Sequence, residues 1–135
     1  MESKPGNELM AIQRVEDAIG NLSIPISKLD RIKTAVGEAT TNAMEHGNRY
    51  QLDMPVEVSI YTSGASLSIF VTDQSGDQPI PVHVEPDLEA KLAGQQSPRG
   101  WGLFLIENMV DELHVYRDKK HHTVELVFRI GEENQ

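Results

Sequence analysis

A chain of 135 residues, 39% apolar and 24% charged, is long enough to bury one core and too short for two. Its formal charge of −9 and isoelectric point near 4.9 repel phosphate backbones and anionic bilayers, so neither nucleic acid nor membrane is expected as a partner. The lack of cysteine removes disulfides, thiolate nucleophiles and Cys-based zinc sites. No apolar run approaches the roughly 18 residues of a membrane span, and "MESKPGNELM" holds no hydrophobic signal core, so a soluble cytoplasmic chain is expected.

Residues 1–7 are polar, contain Pro5 and Gly6, and read as a frayed lead-in. Over residues 8–22 the positions Leu9, Ile12, Val15, Ala18, Ile19 and Leu22 fall on a helical period, and Gly20 and Asn21 sit where such a helix would end. After "SIPIS", Ser27 suits the N-cap of a second helix spanning residues 28–46, striped by Leu29, Ile32, Val36, Ala39 and Ala43 and stopped by Gly47 and Asn48. "VEVSIYT" and "SLSIFVTD" alternate apolar with polar residues around Gly64, which predicts a β-hairpin. Residues 74–99 form a long connection rich in Pro, Gly, Gln and Ser, with one short helical segment at 86–94; such loops are commonly lids. A third helix is predicted over residues 102–111. The strands "ELHVYRD" and "HTVELVFRI" then meet across "DKKHH", and residues 131–135 read as a disordered tail. The order α-α-β-β-(lid)-α-β-β predicts a single α+β domain, a two-layer sandwich whose mixed, mainly antiparallel sheet carries helices on one face.

Three stretches hold residues capable of chemistry. In "EATTNAMEHGN", Glu38, Asn42 and His46 are spaced i, i+4, i+8, each within about 40° of the next. Taken alone, that pattern suits a water-bathed helix face as well as a site. Thr40, Thr41 and Asn42 are mediocre helix formers in mid-helix, and the small Ala39 and Ala43 leave room for a close approach. In "VTDQSGD", Asp73 ends a strand, where it either closes an Asx-turn or offers an acceptor held by a rigid element. In "SPRGWGLFLIENM", Gly100 and Gly102 precede a helix whose first N–H groups can face an anion, and Arg99 adds a charged donor beside them. Trp101 suits a lid anchor or an exposed contact. His121 and His122 are adjacent in a turn and diverge, which is too little for a metal site, and Asp111 and Glu112 read as solvated charges.

Together the three stretches resemble the GHKL ATP-binding superfamily. "EATTNAMEHGN" is similar to its N-box, "VTDQSGD" to its first glycine box and "RGWGLFLIENMVDEL" to its second, in matching order over residues 8–130. The length and the wording "NAMEHGN" and "FLIENMVDE" look most like the anti-sigma-factor serine/threonine kinases of bacterial sporulation and stress regulation. The resemblance implies the Bergerat ATP-binding fold, with ATP and Mg²⁺ as ligands. It implies Asn42 as the Mg²⁺ ligand, Glu38 as general base, Asp73 as acceptor for the adenine amine, Arg99 at the γ-phosphate, and Gly76, Gly100 and Gly102 around the nucleotide. The implied partners are an anti-anti-sigma (STAS) protein, a sigma factor and, by family habit, a second copy in a homodimer. Ser75 and Asp77 stand where the first glycine box usually carries glycine, which keeps a nucleotide-gated binding module with little kinase activity as the alternative. The family also has an edge strand ahead of the first helix, which the short polar lead-in lacks. The chain is therefore expected to be excised from, or fused to, something larger, such as a phosphatase-containing regulator.

Overall fold

Alternation builds the middle of the sheet. In the computed structural model, which describes residues 1–76 and 105–130, "SLSIFVTD" becomes strand β2 (Ser66–Asp73) and "HTVELVFR" becomes the last strand, β4 (His122–Arg129). Before them run helix α1 (Asn7–Ile19), helix α2 (Ile26–Asn42), a π-helical turn (Ala43–Gly47) and strand β1 (Glu57–Ser63); β3 (Glu112–Arg117) precedes β4. The strand order is β1-β2-β4-β3, and every neighbouring pair is antiparallel. Both predicted hairpins form, and β2 joins β4 to unite them. Residues 77–99 of the predicted lid, its helical segment at 86–94, the first residues of the third helix and the tail at 131–135 lie outside the described residues.

The β2–β4 register sets Leu67 opposite Phe128, Ile69 opposite Leu126 and Val71 opposite Val124, all buried. Each such cross-strand apolar pair is worth about 0.2–1 kcal/mol over alanine. The same core takes Ile32, Ala35, Val36 and Ala39 from α2, which packs on β2 and β4, and Ala11, Val15 and Ile19 from α1, which packs on α2 and β1. The predicted α+β sandwich, with helices over one face of an antiparallel sheet, is what forms.

α1 stops at Ile19, with Gly20 at its C-cap where Gly20 and Asn21 were expected to end it, and the chain turns there, with Leu22 N donating to Ile19 O at 3.0 Å. Other boundaries differ from the sequence expectation. α2 starts at Ile26, two residues early. Pro25, at φ −57°, occupies the cap position and its carbonyl accepts Leu29 N at 2.9 Å, so Ser27 lies inside the first turn and caps nothing. The lead-in is tied down rather than frayed. Met1 N donates to Val56 O and Met1 O accepts from Val56 N, both at 2.8 Å. Ser3, fully buried, donates to Met54 O at 2.5 Å.

The third helix ends earlier than predicted. Residues 105–107 are helical, a turn follows, and Asp111 N already bonds Val127 O at 2.9 Å, joining the sheet. Asp111 is exposed, as expected, but paired. Its Oδ2 accepts Lys28 Nζ at 2.9 Å and Arg129 N at 2.6 Å, and Lys28 Nζ donates again to Arg129 O at 2.9 Å. Burial works to raise this carboxyl, but the bonds from Arg129 N and Lys28 outweigh it and hold the group below its ordinary value. Among the described residues, no helix is long and apolar enough to cross a membrane.

Candidate functional site

The helix that carries Glu38 and Asn42 changes period directly after Asn42. Asn48 N reaches back five residues to Ala43 O at 2.8 Å, and Tyr50 N reaches Met44 O at 2.7 Å. Such π-turns are rare and gather at functional sites. The wider turn takes His46 off the line of Glu38 and Asn42 predicted from a uniform helix. It is followed by Arg49 and Tyr50 at φ 52° and 55°, two consecutive non-glycine residues in the left-handed region. Asn48, 1% exposed, holds this reversal in place. Its Nδ2 donates to Met54 O at 2.6 Å and Ser3 Oγ at 2.9 Å, and its Oδ1 accepts Gln74 N at 2.7 Å. One side chain thus ties the N-terminus, the loop before β1 and the exit from β2.

Between α2 and the β2–β4 pair lies a recess. Asn42, Asp73 and His122 supply its polar groups among the described residues, and Ala39, Ala43, Val71, Val124 and Ile106 form apolar walls. Among the described residues the Asn42 Nδ2 is buried with no partner, a condition that only Thr40 Oγ1 shares there. Buried amides are nearly always bonded, so an orphan in a recess fits a polar ligand. Glu38 is half-buried one turn earlier on α2, about 6 Å along the axis, and stands outside the described lining.

Asp73 is 2% exposed and heavily bonded. Its Oδ1 accepts Ser75 N at 2.8 Å and Ser75 Oγ at 2.5 Å, which is the predicted Asx-turn; its Oδ2 faces His122 Nδ1 at 3.2 Å. Burial works to raise the carboxyl, yet the bonds from His122 and Ser75 prevail and hold it below the ordinary carboxylate value. The turn-and-site alternatives for Asp73 are therefore compatible: one oxygen makes the turn and the other lines the recess.

Gly47 is more than the helix stop read from sequence. A Cβ there would stand 2.3 Å from Asp73 Oδ2, so glycine is what lets the carboxylate lie against the π-turn. Gly76, at φ 46°, packs on the backbone of Lys119 and Lys120, where a Cβ would meet Lys119 O at 2.4 Å, and it stands outside the described lining. Arg99, Gly100, Trp101 and Gly102 lie outside the described residues. His122 is the correction. Read from sequence as one of two diverging turn histidines, it begins β4, is 7% exposed and sits directly opposite Asp73 in the strand register. Among the described residues no group of three or more His, Cys, Asp or Glu could hold a metal.

A family model described as histidine kinase-like ATPase domain matches residues 1–128. The chain is similar to the anti-sigma F factor of Clostridium botulinum (strain Eklund 17B / Type B), 30% identical over 122 residues that span 90% of this chain and 84% of that protein. It is 36% identical over 124 residues to the anti-sigma F factor of Clostridium perfringens (strain SM101 / Type A), covering 90% and 86% of the two chains. Its fold is similar to the crystal structure of the RsbU and RsbW domains of a Mycobacterium tuberculosis protein, with a TM-score of 0.63 at 19% identity; 96% of this chain is covered, but only 30% of that one. The histidine kinase domain of a blue-light activated histidine kinase from Erythrobacter litoralis gives a TM-score of 0.57 at 20% identity, over 87% of this chain and 62% of that one.

Proposed function

Because the chain belongs to the histidine kinase-like ATPase domain family, we propose that it binds ATP in the recess between α2 and the β2–β4 pair and acts as an anti-sigma factor. In this reading it phosphorylates a serine or threonine of an anti-anti-sigma (STAS) protein and binds a sigma factor. The relatives named anti-sigma F factor support the partners. The observation that carries the ligand is the buried amide nitrogen of Asn42, unpartnered among the described residues, in the same recess as Asp73.

In this reading the roles are those that the resemblance implies. Asp73 takes the adenine amine through an oxygen that still has an open lone pair. Asn42 offers its amide oxygen to Mg²⁺, a hard ion that prefers oxygen ligands. When bound, Mg²⁺ supplies charge neutralisation at the phosphates. Glu38 accepts the proton of the attacking hydroxyl as the new O–P bond forms and ADP departs with the broken β–γ bridge. Arg99 and the backbone at Gly100 and Gly102 hold the phosphate end.

The test is transfer of label from γ-labelled ATP, with Mg²⁺, to a STAS protein. Wild type yields phosphoserine or phosphothreonine, and Glu38→Gln loses transfer while calorimetry still detects ATP binding. Undiminished transfer by Glu38→Gln removes it as the base. The nucleotide-gated module, favoured by Ser75 standing in a glycine position, is instead supported by ATP-sensitive partner binding without any phosphoprotein.

A further inference from the structure

Asp73 holds one carboxylate oxygen saturated and the other half-open. A carboxylate offers about four lone-pair sites. Both sites on Oδ1 are taken by Ser75, through its backbone N–H and its hydroxyl, while among the described residues Oδ2 has one hydrogen bond, with His122 Nδ1. The terminal torsion of an aspartate is broad and two-fold, so an unheld carboxylate presents either oxygen over a spread of angles. Here it is held from two sides. Ser75 comes from the loop after β2, His122 comes across the ladder from β4, and the backbone of Gly47 closes the third side. All three polar residues are nearly buried, Asp73 at 2%, Ser75 at 4% and His122 at 7% exposure.

We propose that Ser75 and His122 are positioning residues, which lock the Asp73 carboxylate so that one lone pair of Oδ2 is left to accept the 6-amino group of adenine. The proposal rests on the assignment of adenine to Asp73. It gives Ser75 a purpose that a glycine could meet only in part. Glycine would keep the backbone N–H bond to Oδ1 and lose the hydroxyl, leaving a site on Oδ1 open and the carboxylate freer to turn.

The test compares calorimetric binding of Mg·ATP with that of the Mg²⁺ complex of purine riboside triphosphate, which lacks the 6-amino group. Wild type is expected to prefer ATP by about tenfold or more, the worth of one hydrogen bond to a charged acceptor. Ser75→Gly and His122→Leu are expected to shrink that preference to within about threefold, by weakening ATP and leaving the 6-H analogue near its wild-type affinity. Ser75→Thr, which keeps the hydroxyl, retains the preference. A general loss of structure would weaken both nucleotides alike, and that result overturns the proposal, as does an unchanged preference in Ser75→Gly, the milder substitution. Asp73→Asn separates the two layers. If it abolishes the preference while Ser75→Gly and His122→Leu keep it, adenine recognition stands and positioning falls. If Asp73→Asn keeps the full preference, the adenine assignment falls and positioning falls with it.

Discussion

Gly47→Ala is the sharpest structural test of the site, because its sign depends on a single carboxylate. The added Cβ would lie 2.3 Å from Asp73 Oδ2, 2.4 Å from Cγ and 2.9 Å from Oδ1. A flexible side-chain end would step aside cheaply, but this one is 2% exposed and bonded to Ser75 and His122. Overpacking typically costs about 1–3 kcal/mol, and breaking one bond to a charged acceptor about 1.5–3 kcal/mol. Gly47→Ala is therefore expected to destabilise the fold by about 3 kcal/mol or more. At this chain length each kcal/mol shifts the melting temperature by roughly 3–4 °C, so a fall of about 10 °C is expected. The same substitution in an Asp73→Ala background meets no carboxylate. Gly47 is not among the residues with positive φ, and alanine is favoured over glycine in helical backbone, so there it should stabilise by about 0.5–1 kcal/mol. Urea and thermal unfolding of the four proteins of this cycle measure both signs. An equal loss in both backgrounds, or no loss in the wild-type background, refutes the close-approach argument.

Two further stability predictions rest on polar contacts. Asn48→Ala strips the acceptor from Gln74 N and one of two donors from Met54 O, which keeps Ser3 Oγ, and is expected to cost about 2–4 kcal/mol in urea unfolding; Asn48→Asp should be worse, because it sets an oxygen against Met54 O, and a milder effect than alanine would show that the donated bonds matter little. Asp111→Asn loosens the link from α2 to the end of β4 and is expected to cost about 1–2 kcal/mol at pH 7. The Asp111 carboxyl titrates lower in the fold than in the unfolded chain, where its value is about 3.9. Its contribution is thus complete above that unfolded value and disappears as pH falls through the folded one. The difference between wild type and Asp111→Asn should close at the acid end of a pH series, and a difference that grows on acidification contradicts the pairing.

The fold was legible wherever period and punctuation agreed. The alternation in "SLSIFVTD" and "HTVELVFRI" located β2 and β4, and the 3.6-residue stripe of Ile32, Val36 and Ala39 located the buried side of α2. Pro25 starts α2 locally, through Leu29 N, but Asp111 and the lead-in are fixed by bonds to backbone far along the chain, and local propensity does not encode such partners. Ser3 is the clearest case: a polar residue in a polar lead-in reads as solvent-exposed, yet its partners lie 45 and 51 positions away. The π-turn was equally invisible, because a helical stripe ending in Ala43 continues into either period.

The candidate site was half legible for a related reason. Residue type and spacing pointed to Glu38, Asn42 and Asp73, but what surrounds Asp73 depends on strand register. Parity was available from the sequence. Asp73 continues the buried phase of Leu67, Ile69 and Val71, and His122 continues that of Val124, Leu126 and Phe128. Both side chains therefore had to face the helices, and reading His122 as a turn residue ignored its place in that phase. Parity alone still permits slips of two residues, since these preserve the buried face. The slip is decided by the length of the β3–β4 turn and by the loop after β2, where Gly76 at φ 46° lies on the backbone of Lys119 and Lys120. A side chain at position 76 would push that turn away and strain the alignment of His122 with Asp73. The surviving glycine of the first glycine box thus acts on the recess from outside it, by fixing which residue of β4 reaches the carboxylate.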